Sequence, residues 1–222
     1  MTQLEFSCFN NNLDLWLEEK QLFNESYNFV GGIDEAGRGP LAGPVVAAIT
    51  VSKKIIKIPG VTDSKKLTSK KRLQLKPLIE SHPDLYIGIG IVSPKEIDEL
   101  NILQASLFAF KKALDNVTQK PDFCLIDGNK TSPFIELPQK AIVKGDSKSF
   151  LIAAASIIAK ETRDAIMIEY DKKWPEYEFA KHKGYPTKSH REALKKYGIT
   201  KIHRKTFEPV KSLINKKLFT AN

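Results

Sequence analysis

Asp34 and Glu35 close the apolar stretch Phe29-Val30-Gly31-Gly32-Ile33 and run into a Gly- and Pro-rich turn, Ala36 to Pro44. Asp127 closes a second apolar stretch, Phe123-Cys124-Leu125-Ile126, and Asp146 follows a third, Ala141-Ile142-Val143. In α/β sheets, ligands gather outside the carboxyl ends of the strands, so acidic residues at three strand ends mark one candidate site. The plainer alternative for Asp34-Glu35 is a solvated acidic turn, and the other two loci argue against it. Adjacent side chains on a regular strand point to opposite faces. For Asp34 and Glu35 to serve one site, the first strand is therefore expected to end there. Carboxylates with no Cys or His partner are hard oxygen ligands, suited to two divalent ions, Mg²⁺ or Mn²⁺, and poorly suited to zinc. Two such ions about 3.5–4 Å apart clamp the attacking and leaving oxygens of an in-line phosphoryl displacement.

The rest of the composition says what surrounds that acidic centre. The 222 residues carry 35 Lys+Arg against 26 Asp+Glu, a net charge of +9. A basic surface around a metal-loaded acidic centre is what a phosphodiester polymer requires: cations hold the backbone while metals act at one phosphate. The residues thus point to a metal-dependent nuclease. Two rivals stand beside it, a basic nucleic-acid-binding module with structural carboxylates and a resolvase- or transposase-like nuclease. Hydrophobic residues at 41% and charged residues at 27% exclude disorder and fibrous classes and fit one soluble domain. Cys8 and Cys124 are the only cysteines, and no basic-then-apolar leader opens the chain. The longest nearly uncharged apolar stretch, 150–159, is too short for a bilayer. A cytoplasmic monomer with no membrane partner is expected.

Other phosphate machinery fails on inspection. Lys130-Thr131 could end a P-loop, but Asn129 and Cys124 stand where its glycines belong. Gly37-Arg38-Gly39 is too short for a dinucleotide fingerprint, and His82, His182, His190 and His203 are scattered, with no nucleophile-elbow pattern.

Positioning these side chains needs a sheet with helices around it. Strands are expected near 29–33, 45–51, 86–91, 123–126 and 141–143, and the glycines of Tyr86-Ile87-Gly88-Ile89-Gly90-Ile91 predict close packing on one face. A basic helix is expected over 65–79, ended or kinked by Pro77. Ser93-Pro94-Lys95-Glu96 is a capping box opening a helix to about Leu114, and Ser189-His190-Arg191-Glu192 is a second, opening a helix closed by Gly198. The stretch 150–170 reads as a long helix, apolar and small all round in its first half. Leu13, Trp16, Leu17 and Leu22 hint at one short helix in an N-terminal extension, 1–28. An α/β domain with a mixed sheet, 29–200, and a basic helical tail, 201–222, complete the layout.

Residues 32–44, GIDEAGRGPLAGP, closely resemble the signature of type 2 ribonucleases H, specifically ribonuclease HII. The resemblance continues through TDSKKLT (62–68), LIDG (125–128), KGDSKSFLIAAASIIAKETRD (144–164) and HKGYPTKSH (182–190), in the family's order. It implies an RNase H-like α/β fold, cleavage of RNA in RNA–DNA hybrids, and incision 5′ to a single ribonucleotide in duplex DNA. The family's metal ligands map onto Asp34, Glu35, Asp127 and Asp146, with Asp34 bridging two ions. Asp164 competes for the fourth place; its plainer role is an ion pair or a helix-packing contact. Gly37, Arg38 and Gly39 inherit reading of the 2′-hydroxyl, the group that separates RNA from DNA. Tyr185 inherits junction sensing by stacking on the sugar after the ribonucleotide. Lys65 and Lys144 are candidate phosphate contacts, whereas Trp16 and Trp174 read as packing. Lys216-Lys217-Leu218-Phe219 resembles a sliding-clamp tail only faintly and is read as a final-turn hydrophobic contact. The related ribonuclease HIII carries a sizeable extra N-terminal domain, and only 33 residues precede Asp34, so HII is the expected branch.

Overall fold

The computed structural model describes residues 14–219; Cys8 and Leu13 lie outside them. Five strands form one sheet in the order β3-β2-β1-β4-β5. They are β1 (Val30–Ala36), β2 (Val45–Ser52), β3 (Tyr86–Val92), β4 (Phe123–Asp127) and β5 (Gln139–Ile142). β1–β2 and β2–β3 are antiparallel, while β1–β4 and β4–β5 are parallel, so the sheet is mixed as expected. The helices are α1 (Leu17–Asn24), α2 (Ser69–Glu80), α3 (Pro94–Leu100), α4 (Ile102–Asn116), α5 (Phe150–Lys173), α6 (Phe179–His182), α7 (Lys188–Tyr197) and α8 (Val210–Phe219). This is the α/β RNase H-like architecture.

Each face of the sheet is covered by one long helix. Ile33, Val45, Ala47 and Ile49 pack against Ala105, Phe110 and Ala113 of α4. Val30, Ala48 and Leu125 pack against the small residues of α5, with Trp16, just ahead of α1, and Leu75 and Ile79 of α2 closing that layer. The glycines of β3 behave as their spacing predicts: a Cβ on Gly88 or Gly90 would lie 2.1 Å from the Ala113 or Ala109 carbonyl of α4. Gly32 does the same for the other face, where its Cβ would meet the Leu151 backbone of α5 at 2.3 Å. A third cluster, including Leu41, Met167, Tyr177, Phe179 and Ile202, ties the chain beyond α5 to the turn after β1.

Several helix boundaries differ from the sequence expectation for local reasons. The helix expected over 65–79 starts at Ser69, because Thr68 accepts from the Lys71 amide and caps it; Lys65 stays in a turn. Pro77 sits inside that helix, which continues to Glu80. The helix from Pro94 does not run to Leu114. Asn101, at φ 68°, breaks it, and its side chain accepts from the Leu103 and Gln104 amides to start α4. The cap of α7 is Thr187, which accepts from the His190 amide, and Ser189 lies inside the helix. The capping box at Ser93 and Glu96 is present as read.

Trp16 stacks on Phe150 with ring centroids 4.7 Å apart, and Trp174 lies against Tyr170. The side chains of Lys216–Phe219 lie outside the described residues. Among the described residues, no helix is long and apolar enough to cross a membrane.

Candidate active site

Parallel pairing brings two carboxylates side by side. The β1–β4 register ends at Ile33 opposite Ile126, so Asp34 and Asp127 are the next residues on neighbouring strands. β5 runs parallel to β4 and leads into a 3₁₀ turn, Gly145–Ser147, that carries Asp146. The Gly145 amide donates to Asp127 Oδ1 at 2.7 Å, fastening that turn to the end of β4. One oxygen from each of Asp34, Asp127 and Asp146 lies within 4.8 Å of the others.

Glu35 stands apart from this trio. β1 ends at Ile33 only along its β4 edge; along its β2 edge the ladder continues to Ala36 opposite Val46. The strand expected to stop at Asp34-Glu35 therefore persists, and so does its alternation of faces. Asp34 points to the α5 side near Ser156, while Glu35 lines a cleft with Leu103 and Phe110 of α4. Glu35 Oε1 lies 3.3 Å from Arg38 Nη1. Glu35 and Asp127 both border this cleft and the one beside Asp34, so the two carboxylate faces meet at the end of β4.

Burial and like charge dominate the electrostatics. Burial pushes the Asp34 carboxyl well above its ordinary range, and Glu35 and Asp127 add repulsion. Burial also raises Glu35, against the pull of Arg38, and raises Asp146, against the pull of Lys65. Lys65 Nζ donates to Asp146 Oδ2 at 3.0 Å and is the cation nearest that carboxylate among the described ion pairs. Burial opposes the Lys65 charge, but its hydrogen bond to Asp146 and the surrounding carboxylates raise its pKa. An all-oxygen, mutually repelling donor set, with Asp34 and Asp146 buried and Asp127 half-buried, fits hard divalent cations, which would relieve the repulsion.

The remaining expected residues divide by position. Gly37, Arg38, Gly39, Lys65 and Tyr185 line one cleft of about 370 Å³ with Asp34, Glu35 and Asp127. Gly37 needs its lack of a side chain, with φ 99° and a would-be Cβ 2.0 Å from Arg163 Nε. Gly39 is open toward the cleft, its nearest neighbour being Tyr185 Cε1, 3.6 Å from a would-be Cβ. The Tyr185 side chain is 43% exposed. Lys144 is exposed at φ 58° beside the Asp146 turn, outside the cleft lining. Asp164 pairs with Lys160 at 2.7 Å and lies 4.0 Å from Arg72, away from the trio.

Three arginines that shape the site carry no sequence expectation. Arg204 donates to the Gly37, Arg38 and Gly43 carbonyls, and Arg163 to those of Ala42, Pro44 and Lys183. Both are essentially fully buried. Arg72 on α2 pairs with Glu161 at 2.6 Å and donates to the Ser64 and Leu67 carbonyls, which flank Lys65. The available signal for Arg163 is a cation continuing the buried phase of α5; Arg204 sits in a basic stretch with no such contrast.

Comparison with known proteins agrees with this geometry. The family model for ribonuclease HII matches residues 31–210. Ribonuclease HII of Clostridioides difficile (strain 630) is 57% identical over 189 residues, covering 85% of this chain and 73% of that protein. The crystal structure of the ribonuclease H2 from Pyrococcus horikoshii OT3 superposes with a TM-score of 0.70 at 31% identity, covering 87% of this chain and 100% of that one. The structure of the PCNA:RNase HII complex from Archaeoglobus fulgidus matches with a TM-score of 0.69 at 28% identity, over 81% of this chain and 95% of that one. The family match spans the acidic trio, the Gly37–Gly39 turn and Tyr185 alike, and the chain belongs to the ribonuclease HII family.

Proposed function

We propose that the protein is an endonuclease that hydrolyses the RNA strand of RNA–DNA hybrids and incises 5′ to single ribonucleotides in duplex DNA. The observation that carries this reading is the convergence of Asp34, Asp127 and Asp146, from three separate segments, within 4.8 Å. Family membership gives that acidic cluster a nucleic-acid substrate.

Asp34, Asp127 and Asp146, with Glu35 on the adjoining face, would hold two divalent cations, Mg²⁺ or Mn²⁺. Such ions polarise a phosphoryl oxygen and lower the pKa of water, so no side-chain base is required. The chain's own residues position the substrate. Gly37 and Gly39 let the backbone approach a ribose, and Arg38 completes the contact with its 2′-hydroxyl. Tyr185, at the rim beside Gly39, stacks on the sugar that follows the ribonucleotide. Lys65 and Lys144 meet backbone phosphates on either side of Asp146. Water attacks the phosphate 5′ to the ribonucleotide, leaving 3′-OH and 5′-phosphate ends.

Incubation with Mg²⁺ and a duplex carrying one ribonucleotide, beside an all-DNA duplex and a continuous hybrid, tests this. Cleavage of both ribonucleotide-containing substrates and not of the all-DNA duplex is expected. Asp34→Asn should abolish scission while leaving binding largely intact; full activity would overturn the metal assignment. Scission of the all-DNA duplex would favour a resolvase-like nuclease. Salt-sensitive binding without scission would favour a binding module. Tyr185→Ala should impair the single-ribonucleotide duplex more than the hybrid, and equal loss on both removes the junction role.

A further inference from the structure

Three of the four histidines, separated in sequence, meet beneath Tyr185. His182 ends α6, His190 lies in α7, and His203 follows α7; they are 8%, 0% and 1% exposed. Tyr177 and Phe179 stack with ring centroids 5.2 Å apart and border the imidazoles, and His182 stacks on His190 at 4.5 Å. An imidazole buried among aromatic rings is costly unless both nitrogens find partners. Here every one does.

Those partners dictate where the protons sit. The Thr200 amide is an obligatory donor and lies 2.9 Å from His203 Nδ1, so that nitrogen accepts. A neutral His203 then carries its proton on Nε2, which faces His190 Nε2 at 3.1 Å. His190 Nε2 therefore accepts, and its proton is on Nδ1, 2.9 Å from the Tyr185 carbonyl, which can only accept. His182 is fixed independently: its Nδ1 accepts from the Gly184 amide at 3.1 Å and its Nε2 donates to the Tyr177 carbonyl at 2.6 Å. One proton per ring satisfies every nitrogen. Burial pushes His190 down to about 4 and His203 down to about 3, in keeping with neutral rings.

We propose that His203 and His190 form a directional relay, from the Thr200 amide to the Tyr185 carbonyl, that positions Tyr185 for recognition of the ribonucleotide junction. This rests on the reading of Tyr185 given above. The relay is one part of a frame that holds the Tyr185 backbone completely. Its amide donates to the His182 carbonyl at 2.9 Å, and its carbonyl also accepts from the Thr187 amide at 2.8 Å. The preceding residue is clamped too: the Gly184 carbonyl accepts from the Leu41 amide at 2.8 Å, in the turn that follows Gly39. Only the Tyr185 ring is left to the solvent. A ring on a backbone with no freedom meets its partner with less ordering to lose. Packing alone would be satisfied by leucine or phenylalanine; a donor on one side and an acceptor on the other is what imidazole adds. His190 and His203 touch no substrate in this scheme and are positioning residues.

The test has a spectroscopic and a kinetic arm. Long-range ¹⁵N–¹H spectra of the histidine-labelled protein at pH 7 should show His190 as the Nδ1–H tautomer, with His182 and His203 as Nε2–H tautomers. His190 as an Nε2–H tautomer or as a cation would overturn the relay. Kinetically, His203→Leu should lose about tenfold in kcat/KM on the single-ribonucleotide duplex relative to the continuous hybrid, the worth of one buried hydrogen bond. His203→Gln places an amide donor where Nε2 stood and should recover most of that ratio. No change in ratio for His203→Leu, or no recovery by His203→Gln, would overturn the positioning role. Tyr185→Ala run in parallel separates the two readings. If it spares junction cleavage, the junction role fails, whereas the tautomer pattern is decided by the spectra. If it impairs the junction and His203→Leu does not, the relay fails.

Discussion

Arg204 Nη2 donates to the carbonyl of Gly37 at 2.5 Å, across 167 residues of chain. The same guanidinium reaches the Arg38 carbonyl at 2.9 Å and the Gly43 carbonyl at 3.0 Å, so one buried cation organises the whole turn after β1. Burial, with Arg163 repelling from nearby, pushes the Arg204 pKa down to about 9, and burial brings Arg163 to about 10. Neither forms an ion pair among the described residues. Carbonyl dipoles take the place of a counter-ion.

Replacing that fork is therefore costly. Arg204→Lys keeps the charge but has no planar fork to span three carbonyls, and should destabilise the protein by about 3 kcal/mol or more. Chemical denaturation reads the loss. A midpoint unchanged from the parent would mean that the turn holds itself without the guanidinium.

Asp34→Asn should stabilise the protein without metal while abolishing activity. The Asp34 pKa is raised on folding, so its carboxyl favours the fold at low pH and this contribution is lost as pH rises through the raised value. At neutral pH the ionised group opposes folding; asparagine does not ionise. A gain of about 1 kcal/mol would raise Tm by about 2–4 °C for a chain of this size. Millimolar Mg²⁺ or Mn²⁺ should raise the parent's Tm more than the variant's. A lower Tm for the variant in EDTA would contradict the repulsion argument.

Glu19 gives a pH-dependent contribution of its own. It is fully buried, accepts from the Ser149 hydroxyl at 2.6 Å and the Leu151 amide at 3.0 Å, and leaves Oε2 without a partner. Burial pushes it up to about 7, against those hydrogen bonds, from an ordinary 4.5. The protonated form therefore stabilises the fold fully below about pH 4.5, and this is lost as pH rises through about 7. Glu19→Gln should flatten the stability profile between these limits and gain on the parent at pH 8. Parallel profiles for the two proteins would show that the carboxyl is not protonated in the fold.

Gly37→Ala should fail in the fold as well as in the site. At φ 99° alanine is strained, and its Cβ would sit 2.0 Å from Arg163 Nε and 2.8 Å from the Pro44 carbonyl. Strain and clash together should cost about 3 kcal/mol or more. Gly39→Ala, with no neighbour nearer than 3.6 Å, should fold normally. Melting curves for the pair distinguish a structural glycine from an open one.

Much of the scaffold is legible locally. The Ser93 capping box, the glycine pattern of β3 and the small-residue run of α5 each announce an element through short-range chemistry. The helix joints are harder. Asn101 breaks a continuous apolar pattern by adopting a left-handed φ and capping α4, and nothing in its neighbours' hydrophobic period marks the break. Ser189 and Glu192 have capping-box spacing, yet it is the Thr187 hydroxyl that accepts from the His190 amide and caps the helix.

For the site, the sequence alone determines the chemistry on offer: oxygen donors at strand ends, a Gly-rich turn beside them and an excess of cations. Residue type and spacing along the chain are enough for that. Which donors meet is decided by the tertiary structure, because parallel β1–β4 pairing joins Asp34 to Asp127 while the unbroken β1–β2 ladder turns Glu35 to the other face. The buried supports, Arg163, Arg204 and the His203–His190–Tyr185 chain, are likewise decided there. Their partners are backbone carbonyls and ring nitrogens, which every sequence contains and only folding brings within hydrogen-bond reach.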